Sequence, residues 1–276
     1  MTHKLNSFKT TSEFYDVAVN GVLSSQINRY ASRRDNLAAL SQFLYVEDLI
    51  AQRCGSGSAC FLDLCCGTGV CSIYPAKLGY QVVGIDCSPN SIEAARRLAK
   101  LNDVEGACDF QVMDALEYLR STKLAFDTIF VRESLYYLDL DQTLPLIVEH
   151  LKPGGSFICI ETNGSNFMMN GIRRLRNQFK GHRDTRTLDS LLRRRAFSEI
   201  ANYFDASEIR FFDCLSLGFV LFSWNKSLCK FFHETARKLD YFLLNVLGSA
   251  RLPFLGCFAF KVVFRGSVLS EGQPRG

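Results

Sequence analysis

From about residue 58 onward, the apolar and polar positions of this chain alternate between two rhythms. Short apolar runs at 60–64, 81–85, 108–113, 126–131 and 156–160 end in turn residues and read as buried strands. Between them lie segments with helical spacing. Residues 68–78 form one, with Gly79 as its stop, and residues 141–151 another. A third opens at Ser88-Pro89, where a hydroxyl can cap N–H groups and proline suits the first turn. Ahead of them, 33–53 carries Leu37, Leu40, Leu44, Leu49 and Ile50 at roughly helical intervals. Strands alternating with helices predict right-handed crossovers and a parallel sheet. Further along, a helix is expected to close over 200–206, a strand at 208–212, a long helical stretch at 225–247 and a last strand at 256–264.

Chemistry enters at the ends of the first two strands. The first runs through Phe61, Leu62, Asp63 and Leu64 into Cys65, Cys66, Gly67, Thr68 and Gly69. This is a strand that stops, turns tightly and feeds a helix, leaving backbone N–H groups and a carboxylate where open α/β sheets bind ligands. The second strand ends in Asp86, an acid placed to accept hydrogen bonds from both hydroxyls of a ribose. A dinucleotide site would want a third glycine where Ser72 stands, and Asp63 would repel a pyrophosphate. The same carboxylate suits an ammonium or a sulfonium. A nicotinamide-dependent oxidoreductase is therefore the weaker reading.

These residues, in this order, resemble a class I S-adenosylmethionine-dependent methyltransferase over about residues 58–162. The first motif falls on Asp63, Cys65, Gly67 and Gly69, the ribose acid on Asp86 and the acid after the third strand on Asp114. Phe126-Asp127-Thr128-Ile129 matches the fourth strand, and Leu151-Lys152-Pro153-Gly154-Gly155 announces the fifth. One departure is Cys65, a thiol where the family has its first glycine. The resemblance implies a Rossmann-like, doubly wound α/β sheet of seven strands, ordered 3-2-1-4-5-7-6, with the last antiparallel and with helical insertions. It implies S-adenosylmethionine as cofactor. Asp63 and the turn at Gly67, Thr68 and Gly69 would face the methionine part. Cys87 and Ser88 would flank the adenine, Asp114 and the Ala115 N–H would meet its edge, and Arg132 would lie near the cofactor's carboxylate.

The expected organisation is an N-terminal helical lid or entry segment at 1–57 and a core at 58–276. Tyr15 and Tyr30 are its lid candidates. Insertions at about 162–188 and 213–255 would form a substrate cap, the second holding Trp224 and several phenylalanines. Its apolar face would roof a pocket, with a dimer interface or a membrane surface as alternatives.

Composition narrows this little further. The chain has 276 residues and a formal net charge of +4, with 47% hydrophobic and 22% charged residues, as a globular enzyme would. Its most apolar stretch, 254–264, is interrupted by Lys261, and no run is long enough to cross a bilayer. The first residues lack a secretory core, and eleven cysteines lying mostly in or beside strands point to reduced thiols and a cytoplasmic setting. Cys60, Cys65, Cys66 and Cys71 lack paired metal-ligand spacing, and no metal is expected. Between Gly171 and Arg195, nine Arg or Lys residues face two Asp residues. Such an excess attracts phosphates, nucleic acid or an anionic membrane. Only Phe179 there could stack on a base, which disfavours a nucleic-acid platform.

The acceptor side is less furnished. The candidates are Glu133, Tyr136 and Tyr137 after the fourth strand, with His182 and His233 in the two insertions. Tyrosine, with an ordinary pKa near 10, is a poor base at neutral pH. The stretch Glu161-Thr162-Asn163 is expected to face the cleft and loosely resembles small-molecule methyltransferases. The acceptor is thus expected to be a small molecule, anionic or lipid- or sugar-linked, methylated at oxygen. Methylation of a small-molecule nitrogen, RNA methylation through the basic insertion and cofactor binding without turnover stay open.

Overall fold

The computed structural model describes residues 37–53, 59–180, 189–215, 226–247 and 253–269. Helix α1 (Leu37–Ala51) precedes β1 (Cys60–Leu64). Four units follow, in which α2 (Ile73–Lys77) leads to β2 (Gln81–Asp86) and α3 (Pro89–Leu101) to β3 (Cys108–Val112). In turn α4 (Ala115–Ser121) leads to β4 (Phe126–Arg132), and α5 (Leu140–Glu149) to β5 (Leu151–Thr162). Then come α6 (Phe167–Lys180), α7 (Arg194–Ala201), β6 (Ala206–Phe212), α8 (Lys226–Tyr241) and β7 (Lys261–Ser267).

Among the described residues these strands form one seven-stranded sheet ordered β3-β2-β1-β4-β5-β7-β6. The first five strands are parallel, and β7 runs antiparallel to both β5 and β6. The expected Rossmann-like order and the antiparallel last strand are both present.

Alternation along each strand sorts the core onto two faces. Leu62 and Leu64, Ile129 and Val131, and Phe157 and Cys159 pack with Tyr118 and Leu119 of α4, Ile147 of α5 and Phe197 of α7. On the other face Phe61, Phe130, Ile158 and Val263 meet Phe43, Val46 and Ile50 of α1. Chain order reverses between β1 and β4, so the crevice outside their carboxyl ends is where such a sheet accepts a ligand.

Several boundaries differ from the sequence reading: the helix expected to close over 200–206 ends at Ala201 with β6 already running from Ala206, β5 begins at Leu151, and the long helix α8 ends at Tyr241 with a π-helical turn at Phe242–Leu247. The first helix spans Ile73–Lys77 and does not reach back to Thr68. Gly69 has φ +70°, a left-handed conformation that a helix cannot contain, and Pro75 without an N–H belongs in a first turn. The last strand is Lys261–Ser267 and does not begin at Gly256. Residues Pro253–Phe258 form a 3₁₀ turn. The carbonyls of Gly256, Phe258 and Ala259 are taken by the side-chain amides of Asn163 and Asn166 at 2.8–3.0 Å.

Edge strand β6 is finished by Asn245, whose side-chain amide both accepts from Phe211 N and donates to Phe211 O at 2.8 Å. No helix among the described residues is long and apolar enough to cross a membrane.

Candidate functional site

The turn after β1 has three residues in the left-handed region, Cys65 at φ +61°, Gly67 at +53° and Gly69 at +70°. A Cβ on Gly69 would stand 2.8 Å from the Ala95 Cβ, so this glycine also lets α3 approach the turn. A Cβ on Gly67 would meet nothing within 4 Å, and Gly67 therefore borders open space. Cys65 adopts the glycine conformation with a side chain attached, which costs about 1–3 kcal/mol of strain. Thr68 lies half-buried between the two glycines.

Two carboxylates frame this turn. Asp63 is buried and accepts a 2.6 Å hydrogen bond from the Ser72 hydroxyl. Burial pushes its carboxyl up to about 7, with the Ser72 bond and the Arg132 cation opposing and Asp86 adding to the rise. Ser72, at the position of a dinucleotide site's third glycine, is thus the partner of the acid. Asp86 accepts from Gly67 N at 2.8 Å and from Ser88 N at 2.9 Å, which ties the end of β2 to the turn.

Around them the other cofactor candidates hold local structure in place. Ser88 caps α3 by accepting from Ser91 N at 3.1 Å, and Cys87 lies half-buried beside it. Asp114 caps α4, its Oδ1 accepting from Leu116 N and Glu117 N at 2.8 and 2.9 Å. Ala115 is the buried first residue of that helix.

Beyond the reversal, the ends of β4, β5 and β7 bring a second group together. Arg132 lies over the Phe43 ring, 4.7 Å from its centroid. Glu133 follows with φ +53° and donates its N–H to Ile160 O at 2.8 Å. Its carboxylate is ion-paired with Lys261, which comes from β7. The Lys261 ammonium also donates to Thr162 Oγ1 at 2.9 Å and lies 5.1 Å from the centroid of the Phe260 ring. Burial, then the Arg132 guanidinium, pushes this ammonium down to about 7. Sequence reasoning missed Lys261, although a lysine breaking an apolar run was its signal.

Glu161 is fully buried, with Oε1 accepting from Ser134 N at 3.1 Å and Leu135 N at 2.8 Å. Burial lifts its carboxyl to about 8, and those two N–H bonds oppose the shift. The two tyrosines that follow Leu135 sit with ring centroids 4.4 Å apart, Tyr136 against the core and Tyr137 exposed.

One expectation is corrected here, and two other candidates find their places. Asn163 does not face the cleft: it is buried and spent on backbone carbonyls, because the turn before β7 has no ladder partner of its own. His233 is buried on α8, which packs on α1 and on edge strand β6. The basic stretch is partly neutralised, with Arg174 bonded to Asp189 at 2.7 Å and Arg195 to Glu199 at 3.0 Å. His182, Tyr15, Tyr30 and Trp224 lie outside the described residues. Among the described residues, no three His, Cys, Asp or Glu side chains converge as a metal site would require.

Residues 61–155 match a family model described as a methyltransferase domain. Over 109 residues the chain is 31% identical to a demethylmenaquinone methyltransferase of Leptospira interrogans, covering 38% of this chain and 44% of that enzyme. It is 33% identical over 111 residues to a ubiquinone biosynthesis O-methyltransferase of Cereibacter sphaeroides, covering 39% and 44%. The chain thus spans less than half the length of these curated relatives, at 44% each. Among solved structures, an O-methyltransferase family protein from Burkholderia thailandensis superposes with a TM-score of 0.53 at 14% identity, covering 90% of this chain and 62% of that one. A phosphoethanolamine N-methyltransferase 2 of Haemonchus contortus gives 0.51 at 17% identity, covering 89% and 60%. At such identities these two share the fold.

Proposed function

We propose, for a chain whose residues 61–155 form a methyltransferase domain of the class I S-adenosylmethionine-dependent family, that it methylates a hydroxyl of a small-molecule or lipid- or sugar-linked acceptor. The observation that carries this reading is the turn at Gly67. It opens onto free space at the carboxyl end of β1, and the Asp86 carboxylate is held against it from β2. A ribose needs such an acid, and a cation needs the buried Asp63 behind it. The bound cofactor would supply a methyl group activated on a sulfonium.

The residues present fit that group. Asp63, the turn from Cys65 to Gly69 and Arg132 would border its methionine part. Asp86, Cys87 and Ser88 would hold the ribose and flank the adenine, and Asp114 would meet the ring edge through the oxygen its cap leaves over. Cys65 already holds a left-handed backbone conformation of the kind glycine favours, which supports binding with the cysteine in place. On the acceptor side Glu133, Tyr136 and Tyr137 lie beyond the β1–β4 reversal, with Glu133 as the candidate base. His182 and His233 are the remaining acceptor candidates from sequence, and the burial of His233 on α8 weakens its case.

The likeness to a demethylmenaquinone methyltransferase and to a ubiquinone biosynthesis O-methyltransferase supports a small-molecule acceptor. Pairing of Arg174 with Asp189 and of Arg195 with Glu199 removes part of the charge excess that an RNA reading needs. Calorimetry with S-adenosylmethionine and S-adenosylhomocysteine tests the cofactor. Product analysis with an isotopically labelled methyl donor then tests the acceptor. A chain that binds neither compound would end this reading, and label found only on amines would replace the hydroxyl by nitrogen.

A further inference from the structure

We propose that Lys261 is a positioning residue for acceptor deprotonation, its ammonium reaching across from β7 to hold the Glu133 carboxylate as the base for an acceptor hydroxyl. This rests on the methyl-transfer reading above and gives that site a base.

Lysine is seldom fully buried, and taking a charged pair out of water is costly unless the pair is well bonded. Lys261 is 7% exposed, at the carboxyl edge of the sheet and not at its centre. Its ammonium is fixed by Thr162 Oγ1 at 2.9 Å and by the Glu133 carboxylate, whose side chain stays 37% exposed. The cation is thus buried behind and the carboxylate lies in front, on the side open to solvent.

Glu133 is anchored a second time through its backbone. It holds φ +53°, a strained conformation for a residue with a Cβ, and its N–H is bonded to Ile160 O. Strain of this kind persists only where the surroundings impose it, and here Glu161 pins the next two N–H groups. Backbone and side chain therefore aim one carboxylate independently.

The cation does not act in isolation. Arg132 at the end of β4 is close enough to repel it, while Glu161 and Asp213 are the chain neighbours of its register partners Thr162 on β5 and Phe212 on β6. Arg173 of α6 lies 4.7 Å from the centroid of the Phe260 ring, the same ring that Lys261 approaches. In the reaction the acceptor oxygen bonds to the methyl carbon as the carbon–sulfur bond breaks, its electron pair going to sulfur. The hydroxyl proton passes to the Glu133 carboxylate. A charge balance follows: Lys261 compensates Glu133 before transfer, and the proton neutralises it afterwards.

The test compares wild type with Lys261→Met, Lys261→Arg, Glu133→Gln and the Lys261→Met/Glu133→Gln double variant, using the acceptor that labelled-methyl product analysis returns. Binding of S-adenosylhomocysteine is measured on each variant by calorimetry. Lys261→Met and Glu133→Gln should each lower kcat about 100-fold, the scale of a lost general base. Lys261→Arg should recover most of the loss, and the double variant should be no slower than Glu133→Gln alone. S-adenosylhomocysteine affinity should stay within about threefold throughout. Glu133 is half-exposed, so Glu133→Gln keeps the result readable if Lys261→Met fails to fold. Full turnover in Glu133→Gln overturns the pair. So do additive losses in the double variant, or an arginine variant as slow as the methionine one. Wild type that makes no methylated product overturns the methyl-transfer reading itself.

Discussion

The Ser72 hydroxyl donates a 2.6 Å hydrogen bond to Asp63 across the turn that follows β1. Asp63 is otherwise buried, and its carboxyl is lifted to about 7, so this bond is what favours its charged form most. A cationic cofactor beside it would favour the same form.

Cofactor affinity should therefore depend on pH with a definite sign. Below about 7 Asp63 is protonated, and a cationic ligand must expel that proton on binding. Calorimetry should show S-adenosylmethionine affinity rising to about pH 7 and levelling off above it, with about a tenfold loss by one unit below. Ser72→Ala removes a hydrogen bond to a charged group, worth about 1.5–3 kcal/mol. The plateau should move to higher pH, and affinity at pH 7 should fall about tenfold. A pH-independent affinity in both proteins would show that Asp63 does not face the ligand's charge.

Asp86→Ala should weaken S-adenosylhomocysteine binding more than tenfold. The change removes the acceptor for two backbone N–H groups, Gly67 and Ser88, together with the acid expected to meet the ribose. Asp86→Asn separates those roles, since an amide supplies one acceptor oxygen where the carboxylate supplies two. Both variants should bind weakly in calorimetry, with alanine the weaker. Unchanged affinity in Asp86→Ala would place the ligand elsewhere.

Cys65→Gly should stabilise the protein. At φ +61° a side chain costs about 1–2 kcal/mol relative to glycine, while glycine's greater freedom when unfolded takes back about 0.5–1 kcal/mol. The net gain of about 0.5–1 kcal/mol should raise the melting temperature by about 2 °C. Cys65→Ala keeps the strained geometry and should give no such rise. Differential scanning calorimetry on the three proteins reads this directly.

What the chain reveals without its structure follows the range of each interaction. The ends of β1 and β2 were legible because turn, glycines and acids are neighbours in sequence. The Ser88 cap with Pro89 was legible for the same reason, and the structure has it at 3.1 Å. The sheet order came through family resemblance and not through periodicity, which cannot say that β7 inserts between β5 and β6. The start of β7 was misread because Asn163 and Asn166, 92–96 residues away, decide where its ladder begins. Lys261 escaped for a like reason. Its hydroxyl partner Thr162 stands 99 residues off, and the lysine that breaks the apolar run says nothing locally of Glu133, a partner on the far side of β5.

Glu161 gives the protein a pH-dependent stability that a single neutral substitution should remove. Its carboxyl is lifted by burial from an ordinary 4.5 to about 8, so the folded state holds a proton that the unfolded chain releases. Between those values the folded state binds more protons, and stability must fall as pH rises. Glu161→Gln retains a carbonyl oxygen for Ser134 N and Leu135 N and cannot ionise. Near pH 5 the two proteins should melt within about 2 °C of each other. By pH 8.5 the variant should be the more stable by ~1 kcal/mol or more, about 2–4 °C or above for a chain of this size. Parallel melting curves across that range would mean that Glu161 is ionised throughout and that water, or a partner from the loop after β5, reaches its second oxygen.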